Sequence, residues 1–244
     1  MTKVDHHHHN EHDHEHPHDH DHHHENTAKK DEVTVSRDIL EINNRIAERN
    51  RGLFQARNIF SINIMSSPGS GKTTLLERTL VDLKDKESFY VIEGDQQTSM
   101  DADRIKAVGI PVLQVNTGSG CHLDANMVNW AINEFNPSPG SVVIIENVGN
   151  LICPSLFDLG EKSRIVVMST TEGEDKPLKY PDMFRNADLC LINKTDLLQH
   201  VYCNIEKVIE NGLKVNGRLK FLKVSALTGE GMEDWYKWIL ANTG

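Results

Sequence analysis

Residues 59–76 read IFSINIMSSPGSGKTTLL, and this stretch decides the fold. Its first seven residues are a short, mostly apolar run, which reads as a strand buried on both faces. A glycine-rich loop follows, and from Lys72 onward the pattern TLLERTLVDL is helical. A strand, a glycine-rich loop and a helix in that order form a phosphate cradle. Glycines let successive backbone N–H groups turn inward around phosphate oxygens, and the helix N-terminus adds its dipole. Gly69, Ser70 and Gly71 supply the loop, Lys72 reaches the β- and γ-phosphates, the Thr73 hydroxyl ligates Mg²⁺, and Thr74 completes the binding segment. Ser66 stands where the pattern carries its first glycine, which restricts only the backbone torsion at that position.

Outward from this loop, β and α signals alternate. Further apolar runs occur at 89–93, 111–115, 142–146, 165–169, 188–192 and 219–224, with helical stretches at about 72–86, 100–108, 123–135, 202–212 and 230–242. Continuous apolar strands separated by helices predict an α/β fold with a mostly parallel sheet covered by helices on both faces, and ligands at the carboxyl ends of the strands. Residues 36–57 read as an amphipathic helix preceding the first strand, with Ser36 as its N-cap. The expected organisation is a tail over 1–32 and a nucleotide-binding domain with its N-terminal helix over 33–244.

The chain has 244 residues, with 26 Lys and Arg against 36 Asp and Glu, a formal charge of −10. That acidity argues against a nucleic-acid binder, because phosphate backbones are bound by clustered cations. No apolar run approaches the roughly 20 residues of a membrane span, and no apolar signal core opens the chain, so a cytoplasmic protein without membrane partners is expected. Four unevenly spaced cysteines do not form a disulfide framework. Twelve of the 14 histidines lie in the tail: His6, His7, His8, His9, His12, His14, His16, His18, His20, His22, His23 and His24. Residues 1–32 also hold nine carboxylates against three lysines. With no periodic apolar face the tail is expected to be disordered, and its imidazoles to take up several nickel ions with little selectivity. A simple purification tag is a poor match to histidines so interrupted by Asp, Glu, Asn and Pro.

The choice of base is also legible. Strand 188–192 ends in Asn193-Lys194-Thr195-Asp196, and Ser225-Ala226-Leu227 follows the strand at 219–224. The Asp196 carboxylate accepts two hydrogen bonds from guanine, and adenine would leave that buried acceptor unmade at a cost of a few kcal/mol. A backbone N–H of the Ser225–Leu227 loop backs the guanine O6. Together with the phosphate loop these segments resemble the GTPase superclass, with GTP and GDP as ligands. Glu146-Asn147-Val148-Gly149 stands where most GTPases have DxxG; Glu146 reads as a magnesium carboxylate and Gly149 as the N–H donor to the γ-phosphate. Asp95, in Glu93-Gly94-Asp95, reads as a second magnesium or water-orienting carboxylate, with a helix N-cap as its structural alternative. Lys72, Asp95, Glu146 and Gly149 are thus the catalytic candidates. No glutamine follows Gly149 to orient water, so intrinsic turnover is expected to be slow.

Cys121-His122 lies in a glycine-rich loop, and Cys153 lies four residues past Gly149. Thiolate and imidazole are donors for nickel, zinc and copper(I). Three ligands from one chain invite completion by water, another side chain or a second subunit. Hydrolysis releases Gly149, so a ligand four residues on couples metal affinity to nucleotide state. Cys190, in an apolar strand, and Cys203, expected in a helix, read as core or inert.

These segments together resemble the hydrogenase nickel-incorporation GTPases of the HypB family, over about residues 36–244. The match is carried by SSPGSGKTTLL (66–76), EGDQQTSMDADRI (93–105), VNTGSGCHLDANMV (115–128), ENVGNLICP (146–154), TEGEDKPLKYPDMF (171–184) and NKTDLL (193–198). The resemblance implies a P-loop GTPase of the dimer-switched branch, forming a homodimer with GTP. It implies nickel delivery to the large subunit of [NiFe]-hydrogenase together with the accessory protein HypA. It also implies a nickel or zinc site on Cys121, His122 and Cys153. The N-terminal CxxCGC motif of some members is absent, since no cysteine precedes residue 121, and the His-rich tail takes its place as a nickel store. The urease accessory GTPase UreG is a close rival, but its metal motif is Cys-Pro-His. A nickel-storage protein with incidental GTP hydrolysis is the rival from another class.

Overall fold

The computed structural model describes the backbone of residues 24–95, 100–118 and 120–243, and side chains from Arg37 onward. The histidines expected to store nickel, His6 to His23, lie outside the described residues, and of His24 only the backbone is described. Two units divide between Asp38 and Ile39. The described part of the first is helical, residues 24–38.

Among the described residues the second unit is built on seven strands: β1 (Phe60–Ser66), β2 (Phe89–Asp95), β3 (Val112–Asn116), β4 (Val142–Glu146), β5 (Ser163–Ser169), β6 (Leu189–Asn193) and β7 (Lys220–Lys223). Their order is β3-β2-β4-β1-β5-β6-β7, and all neighbours pair in parallel. The helices are α1 (His24–Ala56), α2 (Lys72–Leu83), α3 (Met100–Ala107), α4 (Ala125–Phe135), α5 (Cys153–Leu156), α6 (Lys176–Lys179), α7 (Pro181–Arg185), α8 (Ile205–Val215) and α9 (Met232–Leu240). Every apolar run in the sequence became a strand; β1, β4 and β6 are buried throughout, as the inner strands of a parallel sheet are, while the edge strands β3 and β7 are partly exposed.

Successive strand residues face opposite ways and build opposite halves of the core. Ile62, Ile64, Val91 and Ile144 meet Leu75, Leu76 and Leu80 of α2 and Trp235 and Ile239 of α9. Ile92, Val143 and Ile145 meet Phe54 of α1 and Val128 and Ile132 of α4. Each such side chain contributes about 1.5–3 kcal/mol on burial. The Trp235 indole N–H, fully buried, donates to Thr79 Oγ1 at 2.9 Å.

Two expectations are corrected. Helix α1 begins at His24, so Ser36 lies inside it rather than capping it. Cys203 precedes α8; Asn204 caps that helix by accepting from the Lys207 N–H, which ends the coil where the sequence suggested helix. Helices α5, α6 and α7 are four or five residues long, too short to show a period. Among the described residues no helix is long and apolar enough to cross a membrane.

Candidate functional site

The phosphate loop leaves β1 at Ser66 and enters α2 at Lys72. Gly69 and Gly71 have φ of 76° and 90°, the left-handed region that glycine enters without strain. A Cβ on Gly71 would also lie 2.6 Å from Asn193 Nδ2, so glycine is required there for space as well. A cleft of about 400 Å³ opens over residues 66–74 and is also lined by Asp101, Arg104, Gly149 and Lys194. Gly149 packs beside Pro68, where a Cβ would meet Pro68 Cα at 3.5 Å. Thr74 is exposed at the rim, and Arg104 Nη2 reaches its hydroxyl at 3.3 Å.

Two of the guanine-loop candidates, Asn193 and Lys194, touch the phosphate loop directly. Asn193 Nδ2 donates to the Ser70 carbonyl at 3.0 Å, and Asn193 Oδ1 accepts from the Ala226 N–H at 3.1 Å. Lys194 Nζ donates to the Gly69 carbonyl at 2.6 Å. Ser225 Oγ donates to Asp196 Oδ1 at 2.5 Å, which aims that carboxylate, while Leu227 stands exposed beside it. One side chain, Asn193, therefore joins both ligand loops.

Glu146 ends β4 fully buried, with Lys72 Nζ at 2.7 Å and Thr73 Oγ1 at 2.8 Å from its Oε1. Glu93, its register partner on β2, is 3% exposed. Burial pushes the Glu93 carboxyl up to about 8, and the charges of Glu146 and Asp95 add to that. Oε2 of both glutamates lacks a hydrogen-bond partner. Glu146 Oε1 beside the Thr73 hydroxyl, and the partnerless Oε2 atoms of both glutamates, are oxygen donors of the kind a hard divalent cation takes. Asp95 closes β2, half-buried, with its carbonyl accepting from the Thr117 N–H at 3.1 Å. Sequence reasoning missed Glu93 as a buried carboxylate, together with Asp101 and Arg104 at the cleft. It also missed a buried cluster in which Ser67 binds Glu172 and Lys176 Nζ donates to Ser67 Oγ at 2.7 Å. Burial pulls the Lys176 ammonium down to about 8.

Cys121, His122 and Cys153 converge, their donor atoms all within 4.8 Å of one another. The Cys121 thiol is pushed up by its hydrogen bond with Cys153 and by burial. Burial lowers His122, which favours the neutral, ligating imidazole, and Asp124 opposes this. The loop is tied to β4 through Asn147, whose Oδ1 accepts from the Leu123 N–H at 3.2 Å. Asp124 then caps α4 by accepting from the Met127 N–H. Cys190 is fully buried in β6, and burial drives its thiol strongly upward, as a core thiol requires. Two sulfurs and an imidazole at this spacing can hold a borderline or soft cation.

The sequence model described as CobW/HypB/UreG, nucleotide-binding domain, matches residues 60–223. A hydrogenase maturation factor HypB from Rhizobium leguminosarum bv. viciae is 58% identical over 207 residues, covering 85% of this chain and 69% of that protein. The chain belongs to the HypB family. Two solved HypB structures extend the likeness to three dimensions. The one from Archaeoglobus fulgidus matches with a TM-score of 0.78 at 38% identity, over 84% of this chain and 100% of its own. HypB from Helicobacter pylori, solved in complex with nickel, gives a TM-score of 0.77 at 38% identity, over 82% and 94%. A hydrogenase maturation factor with a nucleotide-binding domain thus carries its Cys/His cluster one short loop away from the phosphate cleft.

Proposed function

We propose that this HypB-family chain is a GTP-hydrolysing metallochaperone that binds nickel and helps to insert it into [NiFe]-hydrogenase, switched by GTP-dependent dimerisation. One observation carries the reading: the convergence of Cys121, His122 and Cys153, with Cys153 on the same loop as Gly149. The nickel named for the Helicobacter pylori relative supports the metal. Zinc suits the same donors and is the expected competitor.

Asp196, held by Ser225, selects guanine. Lys72 turns from Glu146 to the β- and γ-phosphates when nucleotide enters. Thr73, Asp95 and Glu146 would hold magnesium, with Glu93 beside them. When bound, that ion neutralises charge on the phosphate oxygens. Gly149 donates its N–H to the γ-phosphate and releases it on hydrolysis, moving the loop that ends at Cys153. Asn150 follows Gly149 where a water-orienting glutamine would stand, which accounts for slow turnover. The His-rich tail stores nickel. The partners are a HypA-like accessory protein and the hydrogenase large subunit, met in the cytoplasm.

Analytical ultracentrifugation of the parent and Cys121→Ala, with GDP or a GTP analogue, with and without nickel, tests this. The parent should dimerise with the triphosphate analogue, and nickel should shift that equilibrium only when Cys121 is present. A mass insensitive to nucleotide would remove the switch.

A further inference from the structure

The two ends of α5 are held in different ways. At its start, Cys153 follows a segment whose bonds close on its own neighbours: Asn150 N–H to the Val148 carbonyl at 2.8 Å, and Ile152 N–H to Asn150 Oδ1 at 2.9 Å. Ile152 is 60% exposed. At its end, Phe157 enters a strap tied to the sheet and to α1. Arg164 Nη2, from β5, donates to the Phe157 carbonyl at 3.2 Å. Asn43 Nδ2 donates to the Asp158 carbonyl at 2.8 Å, and Arg51 pairs with the Asp158 carboxylate at 2.6 Å. Leu159 N–H donates to Glu161 Oε2 at 2.8 Å.

The His122 ring lies flat on this anchored end. Its centroid is 3.9 Å from that of Phe157, with 25° between the planes. The backbone after it is fixed to the same scaffold, because Asn43 Oδ1 accepts from the Ala125 N–H at 2.8 Å. Asn43 therefore joins the His122 loop to the Phe157 strap, while Cys153 belongs to the loop that begins at Gly149.

We propose that Phe157 is a positioning residue of the Cys121/His122/Cys153 site: it clamps the His122 imidazole to the fixed side of the fold while Cys153 travels with the loop after Gly149. The proposal rests on the metal-site reading above. It says why a nucleotide-driven movement changes donor spacing instead of carrying all three donors along together. A side chain held in one rotamer by packing loses little freedom when a metal binds, so the clamp also raises affinity. Without the flat ring His122 turns freely, its nitrogen follows Cys153, and the difference between nucleotide states narrows.

The test compares parent, His122→Ala, Phe157→Leu and Phe157→Trp, each loaded with GDP or a GTP analogue. Nickel and zinc dissociation constants are read on the full chain by competition with a chromogenic chelator strong enough to strip the His-rich tail. Phe157→Leu should weaken binding about tenfold and bring the constants of the two nucleotide states together. Phe157→Trp, which keeps a flat face, should restore both. Nucleotide affinity measured without metal should stay unchanged in the two Phe157 variants. Phe157→Leu binding metal like the parent, with the same ratio between states, overturns the proposal. A parent indifferent to His122→Ala instead overturns the metal-site reading, and the proposal with it. Should Phe157→Leu fail to fold, proton NMR of the metal-free parent decides: a stacked Phe157 ring shifts the His122 ring protons upfield, and unshifted resonances refute the clamp.

Discussion

Gly71→Ala is the sharpest perturbation of the nucleotide site. The new Cβ sits in a backbone with φ of 90°, a left-handed conformation, which costs an L-residue about 1–2 kcal/mol. It also arrives 2.6 Å from Asn193 Nδ2. Asn193 must withdraw, and it then loses its bonds to the Ser70 carbonyl and the Ala226 N–H, at 3.0 and 3.1 Å. Each is worth about 1 kcal/mol, so the whole loss is about 3–4 kcal/mol. Asn193→Ala alone removes the same two bonds and costs about 2 kcal/mol. In the double variant the Cβ has room, so only the torsional strain is added and the sum is again about 3–4 kcal/mol. Independent effects would give about 5–6 kcal/mol; the expected coupling is therefore about 2 kcal/mol, well above the scatter of distant sites. Urea unfolding of the four proteins measures it. Strict additivity, or a Gly71→Ala loss below about 1 kcal/mol, would refute the argument that the Gly71 position is read by Asn193.

Asp196→Asn should weaken GTP at least tenfold and improve xanthosine triphosphate, measured by competitive displacement of a fluorescent nucleotide; unchanged GTP affinity would dismiss the guanine assignment. Removing residues 1–26 should abolish most of the nickel bound per chain in equilibrium dialysis while leaving nucleotide affinity intact, and equal stoichiometry would acquit the tail. The Asp82 carboxyl is raised by burial, but the Tyr236 hydroxyl and Arg78 guanidinium outweigh that and hold it below its ordinary value. A depressed folded value stabilises above the unfolded pKa of about 3.9 and is lost as pH falls through the folded one. Tyr236→Phe should therefore move the acid-unfolding midpoint to higher pH, followed by circular dichroism, and an unmoved midpoint would count against this linkage.

What the chain discloses before folding follows from the range of the interactions. The β strands and the phosphate loop are local: an apolar run and a set of glycines carry their own geometry. The convergence of Cys121 and His122 with Cys153 was legible because each lies just past a strand of one sheet. Glu93 was not, since FYVIE reads as a strand buried on both sides and gives no sign of which face a carboxylate takes. Phe157 was hidden because its stack with His122 joins distant segments through a four-residue helix that leaves no period. Ser36 misled by its chemistry: a good capping side chain lies within a helix that continues past it toward the N-terminus.

Asn50, fully buried in α1, spends its whole amide on one task. Its Nδ2 donates to the carbonyls of Ala125 at 2.8 Å and Leu159 at 3.0 Å, and its Oδ1 accepts from Asn129 Nδ2 at 2.8 Å. A planar amide is a ruler of fixed length, so Asn50 spaces the segments after His122 and after Phe157 from outside both the phosphate cleft and the Cys/His cluster. Whatever widens or narrows the sulfur–imidazole cage has to do so at its other rim.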